Sequence, residues 1–136
     1  MITHTTFIRV RYAETDRMGY VYYGNYATYF EVARVETLRA FGITYKSLED
    51  AGILLPVVDF STRYFAPAHY DDQLEITTAI PEMPSSRLRF QYQTFRGEKL
   101  LNEGETDLVF VNASTGKPMR CPSEVLNSLA SHFKED

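Results

Sequence analysis

Asp16 is the side chain of this sequence best placed to do chemistry. It sits in Ala13-Glu14-Thr15-Asp16-Arg17-Met18-Gly19-Tyr20-Val21-Tyr22-Tyr23-Gly24-Asn25-Tyr26, a turn-rich stretch that leads directly into a helical pattern. Gly19 and Gly24 permit tight bends, since glycine reaches positive φ without steric cost. Asn25 is expected to cap the helix by offering its side-chain oxygen to unpaired N–H groups. A helix start carries about half a positive charge from its aligned peptide dipoles, so it can hold an anion or stabilise charge developing on a carbonyl oxygen. A carboxylate within reach of that end is equipped to serve as a general base or a nucleophile.

Other residues with chemical potential read more simply. Glu31 is a rival carboxylate, but it lies inside the helix with Arg34 at i+3, the spacing of an ion pair. His69 stands in a Pro-Ala-His-Tyr-Asp loop. Ser61 and Thr62 fall in an extended run with neither a Gly-x-Ser-x-Gly elbow nor a nearby histidine, so a serine hydrolase is not indicated. Glu103 and Glu105 alternate on one strand face as solvated residues would. A lone Cys121 cannot form an internal disulfide, and three scattered histidines give no metal-site spacing.

The elements that must position Asp16 follow from periodicity. Residues 5–12 alternate Ile8, Val10 and Tyr12 against Phe7, Arg9 and Arg11, the period of a strand. From Asn25 the period changes, and Tyr26, Tyr29, Phe30, Ala33, Thr37, Ala40 and Phe41 share one helical stripe, with Gly42 as the stop. Apolar residues on both flanks of the stripe (Ala27, Leu38, Val32, Val35) call for a sheet on one side and a further cover, expected to be a neighbouring subunit. After a short polar link come extended runs at 54–66, 73–80, 87–95 and 100–112, separated by turn chemistry at 67–71, 84–86 and 96–98. Val125, Leu126, Leu129 and Phe133 after Pro122 trace a short closing helix. One strand, one long helix and an antiparallel meander make an α+β layer in which a sheet wraps a single helix.

Composition sets the outer limits. At 136 residues, 1–136 is expected to form a single domain. A net charge of −4, with 14 Lys and Arg scattered among 18 acids, argues against nucleic acid as a partner. No span is long and apolar enough for a bilayer and no leader pattern opens the chain, so a cytoplasmic protein is expected. Ten tyrosines and nine phenylalanines without any tryptophan exceed the needs of a core this small, which points to an aromatic-lined pocket or interface.

The pattern Asp16-x-x-Gly19-x-Val21-x-Tyr23-x-Asn25-Tyr26, followed by Phe30-Glu31 in the helix, resembles the hot-dog fold acyl-CoA thioesterases of the 4-hydroxybenzoyl-CoA thioesterase type. The resemblance is specific over residues 8–41; beyond them it rests on element order and on the segment at 67–74. It implies a hot-dog fold and an enzyme hydrolysing acyl-CoA without metal or redox cofactor, as a homo-oligomer, dimer or tetramer, with each site at a subunit boundary. It further implies that Asp16 is the catalytic carboxylate, as base or nucleophile, and that Tyr23 offers its backbone N–H to the thioester carbonyl. Some relatives carry histidine at the Tyr23 position, and some act from a helix acid, which would be Glu31. Some also place a basic cluster at the turn that here reads Pro84-Ser85-Ser86, where Arg87 and Arg89 are the nearest cations for the nucleotide phosphates of coenzyme A. Two alternatives stay open: a non-catalytic acyl-CoA or acyl-carrier binding protein, and a hot-dog dehydratase. The dehydratase would need a histidine paired with an acid, and none of His4, His69 and His132 lies in a suitable helix or its lead-in. The acyl group is not specified.

Overall fold

Alternating burial drives the sheet. In the computed structural model, which describes residues 1–133, strand β4 (Gln73–Ile80) buries Leu74, Ile76, Thr78 and Ile80 and strand β5 (Arg87–Arg96) buries Leu88, Phe90, Tyr92 and Thr94. These are the two rows that a period of two selects. Strand β1 (Ile2–Arg9) runs antiparallel to β4, β4 to β5, and β5 to the long strand β6 (Lys99–Asn112). The β5 to β6 connection is a two-residue turn, Gly97-Glu98, because Arg96 pairs with Lys99.

The far side of β6 takes strand β3 (Val57–Tyr64) and the short strand β2 (Ile53–Leu54), while β7 (Pro118–Met119) pairs with its end. The extended run expected at 54–66 is thus broken at Leu55-Pro56, as a proline without an N–H requires. The first strand also starts and stops earlier than alternation alone indicates, at Ile2 and Arg9, and Tyr12 belongs to a single turn of 3₁₀ helix over Tyr12–Glu14.

Helix α1 (Asn25–Ala40) lies against this sheet with Tyr26, Tyr29, Phe30, Ala33, Thr37 and Leu38 buried. Phe30 is its anchor: the ring stacks on Tyr92 with centroids 4.3 Å apart and an interplanar angle of 7°. The approach is possible because β6 has Gly104 there, where an added Cβ would come within 2.8 Å of the Phe30 ring and 2.9 Å of the Ser61 carbonyl. Arg34 departs from its expected partner. Instead of pairing with Glu31 on the solvated side, it is buried and its Nε donates to the Tyr45 hydroxyl at 3.2 Å. Tyr45 belongs to a short helix, α2 (Tyr45–Asp50), in the segment expected to be a plain polar link. Thr44 starts it by accepting from the Ser47 amide at 3.1 Å. Helix α3 (Ser123–Phe133) closes the fold with Val125 and Leu129 buried. Among the described residues no helix is long and apolar enough to cross a membrane.

Candidate active site

The stretch between β1 and α1 folds back on itself as a narrow hairpin. Glu14 O accepts from the Tyr22 amide at 2.9 Å, Thr15 bridges Val21, and the Asp16 amide donates to Tyr20 O at 2.7 Å. Gly19 sits at the tip with φ +81°, which a side chain would strain. The Asp16 carboxylate closes this tip from within, since its Oδ1 accepts from the amides of Met18 at 2.9 Å and Tyr20 at 3.2 Å. Among the described residues its other oxygen, Oδ2, has no protein donor. Asp16 is half-buried, so that oxygen is both fixed and reachable.

The hairpin is held at its flank by the loop that follows β3. The Val21 amide donates to Ala68 O at 2.8 Å, Tyr20 bridges His69, and the two rings meet edge-on at 5.2 Å. That loop is secured by Asp72, whose Oδ2 accepts from the His69 amide at 2.8 Å and from Arg96 Nη1 at 2.9 Å. Burial raises the Asp72 pKa, but these two donors and the charge of Arg96 more than offset it and hold the carboxyl below its usual range. His69 thus braces the loop.

At the other end the hairpin enters α1 through Tyr22-Tyr23-Gly24. The Asn25 amide donates to Tyr22 O at 2.9 Å and the Tyr26 amide to Tyr23 O at 3.2 Å. Because a trans peptide points its N–H opposite its C=O, the amides of Tyr23 and Gly24 are turned away from the helix. Among the described residues neither donates to a protein acceptor. They are two aligned donors at the positive end of a helix of 16 residues. Gly24 also leaves room for the Tyr22 ring, which an added Cβ would meet at 2.8 Å. Asn25 does not cap the helix: it is the first helical residue, and its Nδ2 donates backwards to Glu14 O at 2.8 Å. The side chain expected to serve the helix ties it to the hairpin instead.

The chain therefore brings Asp16 and the Tyr23 amide into one hairpin-to-helix junction. Arg87 and Arg89 are elsewhere. Both stand on the outer face of β5 around a cavity of about 250 Å³ shared with Glu82, Ser85, Ser86 and Asp107. Arg89 Nε donates to Asp107 Oδ1 at 2.9 Å, whereas Arg87 is 3.5 Å from Oδ2 with a side chain 60% exposed. The hydrogen bond from Arg89 holds the Asp107 carboxyl below its usual range. Arg87 opens β5 and Arg96, which grips the loop beside the hairpin, ends it; at about 3.3 Å per residue they are roughly 30 Å apart. Glu31 is exposed on α1.

Nothing in the sequence singles out Glu14 and Tyr29 as a pair, yet their carboxylate and hydroxyl meet at 2.9 Å beneath the junction. An Arg11-x-x-Glu14 spacing was the available signal, since Arg11 donates to Glu14 through its amide, Nε and Nη2.

The model of the thioesterase-like superfamily matches residues 10–129. Over 129 residues the chain is 35% identical to the acyl-CoA thioester hydrolase YbgC of Escherichia coli, covering 94% of this chain and 93% of that one. The structure superposes on a DHNA-CoA thioesterase from Staphylococcus aureus with a TM-score of 0.90 at 33% identity, covering 99% of this chain and 95% of the other. A 4-hydroxybenzoyl CoA thioesterase, 20% identical over 93% of this chain and 97% of its own, shares the fold with a TM-score of 0.82.

Proposed function

The chain belongs to the thioesterase-like superfamily, and we propose that it hydrolyses acyl-CoA thioesters at the junction between the Asp16 hairpin and helix α1. The observation that carries this reading is the pairing of one unengaged carboxylate oxygen, Asp16 Oδ2, with two unengaged amides, those of Tyr23 and Gly24, in a single short segment. A thioester carbonyl placed on the amides gains hydrogen bonds that strengthen as its oxygen becomes an oxyanion; one such donor is worth about 3–4 kcal/mol. Asp16 then either attacks the carbonyl carbon or takes a proton from a water that does so. In either case the C–S bond breaks and the coenzyme leaves as a thiolate that is then protonated; water gives the free acid directly on the base route, and on the nucleophilic route by hydrolysing the acyl–Asp16 anhydride, which restores the carboxylate. A panel of acyl-CoAs monitored for free thiol tests the reading. Turnover of at least one acyl class is expected, whereas binding of acyl-CoA without any thiol release would make the protein a carrier or sensor and contradict it.

The active form in this reading is a homo-oligomer. Strand β3 pairs with β6 alone among the described strands, and Val57, Val58, Phe60, Tyr64 and Phe65 on or beside it are exposed, as is Val32 on α1. An apolar free edge of this kind is a pairing surface. Sedimentation at micromolar concentration should give a dimer or larger species, and a fully active monomer would overturn the assignment.

Assembly also bears on coenzyme A. Arg87 lies a strand's length from Arg96, which grips the loop beside the hairpin, and in our reading the two arginines serve the nucleotide of a substrate held at another subunit's junction. Arg87, with the weaker internal partner, carries most of this contact in our reading. Arg87→Ala is expected to raise KM for acyl-CoA about 10-fold with little change in kcat, the loss of one charge-assisted phosphate contact. Equal KM values for an acyl-CoA and the matching acyl-pantetheine in the wild-type protein would remove the arginines from the account.

A further inference from the structure

Glu14 is the one carboxylate of the hairpin that is buried, at 9% exposure, and it lies two residues before Asp16. A buried carboxylate is costly unless every lone pair is used, and here they are. Oε1 accepts from the Arg11 amide at 2.8 Å and from the Tyr29 hydroxyl at 2.9 Å, while Oε2 accepts from Arg11 Nη2 at 2.8 Å and Nε at 3.2 Å. Burial pushes its pKa up, but the donors from Arg11 and Tyr29 together outweigh that and hold the group below the ordinary range, so it is ionised.

The backbone of the same residue is equally committed. Glu14 O takes the Tyr22 amide at 2.9 Å and Asn25 Nδ2 at 2.8 Å. Among the described residues two side-chain hydrogen bonds from the start of α1 thus converge on Glu14: Tyr29 to its carboxylate and Asn25 to its carbonyl. Tyr29 is itself packed in the core, 2% exposed, with its ring edge-on to Tyr26 at 5.5 Å. Its hydroxyl is therefore a fixed point.

We propose that Glu14 is a positioning residue, keyed to helix α1 through the Tyr29 hydroxyl, that sets the distance between the Asp16 carboxylate and the amides of Tyr23 and Gly24. The inference rests on the reading of Asp16 as the catalytic carboxylate. Glu14 touches no substrate in this scheme; it decides whether the two halves of the junction face one acyl group at the same time. A shift of about 1 Å in such an arrangement can cost on the order of 10²-fold in rate without weakening binding, because the substrate is held by other contacts.

The test uses the assembled full chain. Tyr29→Phe keeps the ring and removes only the key hydroxyl, and it is expected to lower kcat about 10-fold while KM stays within about threefold of wild type. Glu14→Ala should lose on the order of 10²-fold in kcat. Glu14→Gln should recover part of that, since its carbonyl oxygen still accepts from Tyr29 and from the Arg11 amide. Thermal melting and sedimentation on each variant separate this from a purely structural role, which would lower the melting temperature and leave kcat per folded site unchanged. If Glu14→Ala does not fold, Tyr29→Phe decides. Unchanged kcat in Tyr29→Phe, or in a folded Glu14→Ala, alongside an inactive Asp16→Asn, overturns the positioning role alone. An active Asp16→Asn overturns the reading beneath it and the positioning role together.

Discussion

Phe30→Ala should remove roughly 3–5 kcal/mol of stability, the usual cost of emptying a large aromatic site in a packed core. Against a total of about 5–15 kcal/mol for a domain, that is a large fraction of what holds the fold together. The estimate belongs at the upper end because the surroundings cannot close over the gap. On one side Tyr92 is itself committed, its hydroxyl 2.7 Å from Thr106 Oγ1. On the other is Gly104, whose missing side chain made room for the ring and has nothing with which to fill it. Phe60 and Tyr26, with ring centroids 6.1 Å away, lose their neighbour as well. For a chain of this size the melting temperature should fall by on the order of 10–20 °C. A calorimetric shift of only a few degrees would mean that α1 is not pinned to the sheet at this point. The consequence for the site is direct, since α1 carries the two amides at its entry and Tyr29 one residue before Phe30.

Much of this arrangement was legible in the sequence because local periodicity and burial agree. The rows Leu74-Ile76-Thr78-Ile80 and Leu88-Phe90-Tyr92-Thr94 each alternate through a strand with one buried face, and the helical stripe from Tyr26 to Thr37 has a core on one side. The junction was legible in part: Gly19 takes the positive φ of a tight bend as expected, whereas Gly24 has helical dihedrals and serves instead to leave room for the Tyr22 ring.

What escaped are pairings between residues far apart in the chain. Arg34 at i+3 from Glu31 reads as an ion pair, but Tyr45, eleven residues on, takes its guanidinium into the core. Glu14 meets Tyr29 across fifteen residues, a separation at which periodicity is silent. Asn25 departs from the expected cap for a different reason. An asparagine at a helix start can accept from the helix or donate away from it, and the choice depends on whether a carbonyl, here that of Glu14, lies behind it. Helix α2 is six residues held by Thr44 and Leu48, too short to show a period. Arg87 and Arg89 are the cations nearest the turn at 84–86, but they open β5, and it is the other end of that strand, at Arg96, that meets the loop beside the hairpin.

If thioester hydrolysis runs through the Asp16 carboxylate, Asp16→Asn isolates that contribution. The two amides that hold Asp16, from Met18 and Tyr20, both donate to Oδ1, an acceptor that an asparagine carbonyl oxygen reproduces. The hairpin, the amides at the helix entry and the subunit contacts should therefore persist. Only the free oxygen changes, from a basic and nucleophilic atom to an NH₂ that is neither. The direct measurement is free-thiol release at saturating acyl-CoA by wild-type and Asp16→Asn protein matched for assembly in sedimentation, with Glu31→Gln as the comparator. A loss of at least about 10²-fold in kcat is expected for Asp16→Asn, with near wild-type turnover for Glu31→Gln. Near-normal kcat in correctly assembled Asp16→Asn protein would contradict the role of Asp16.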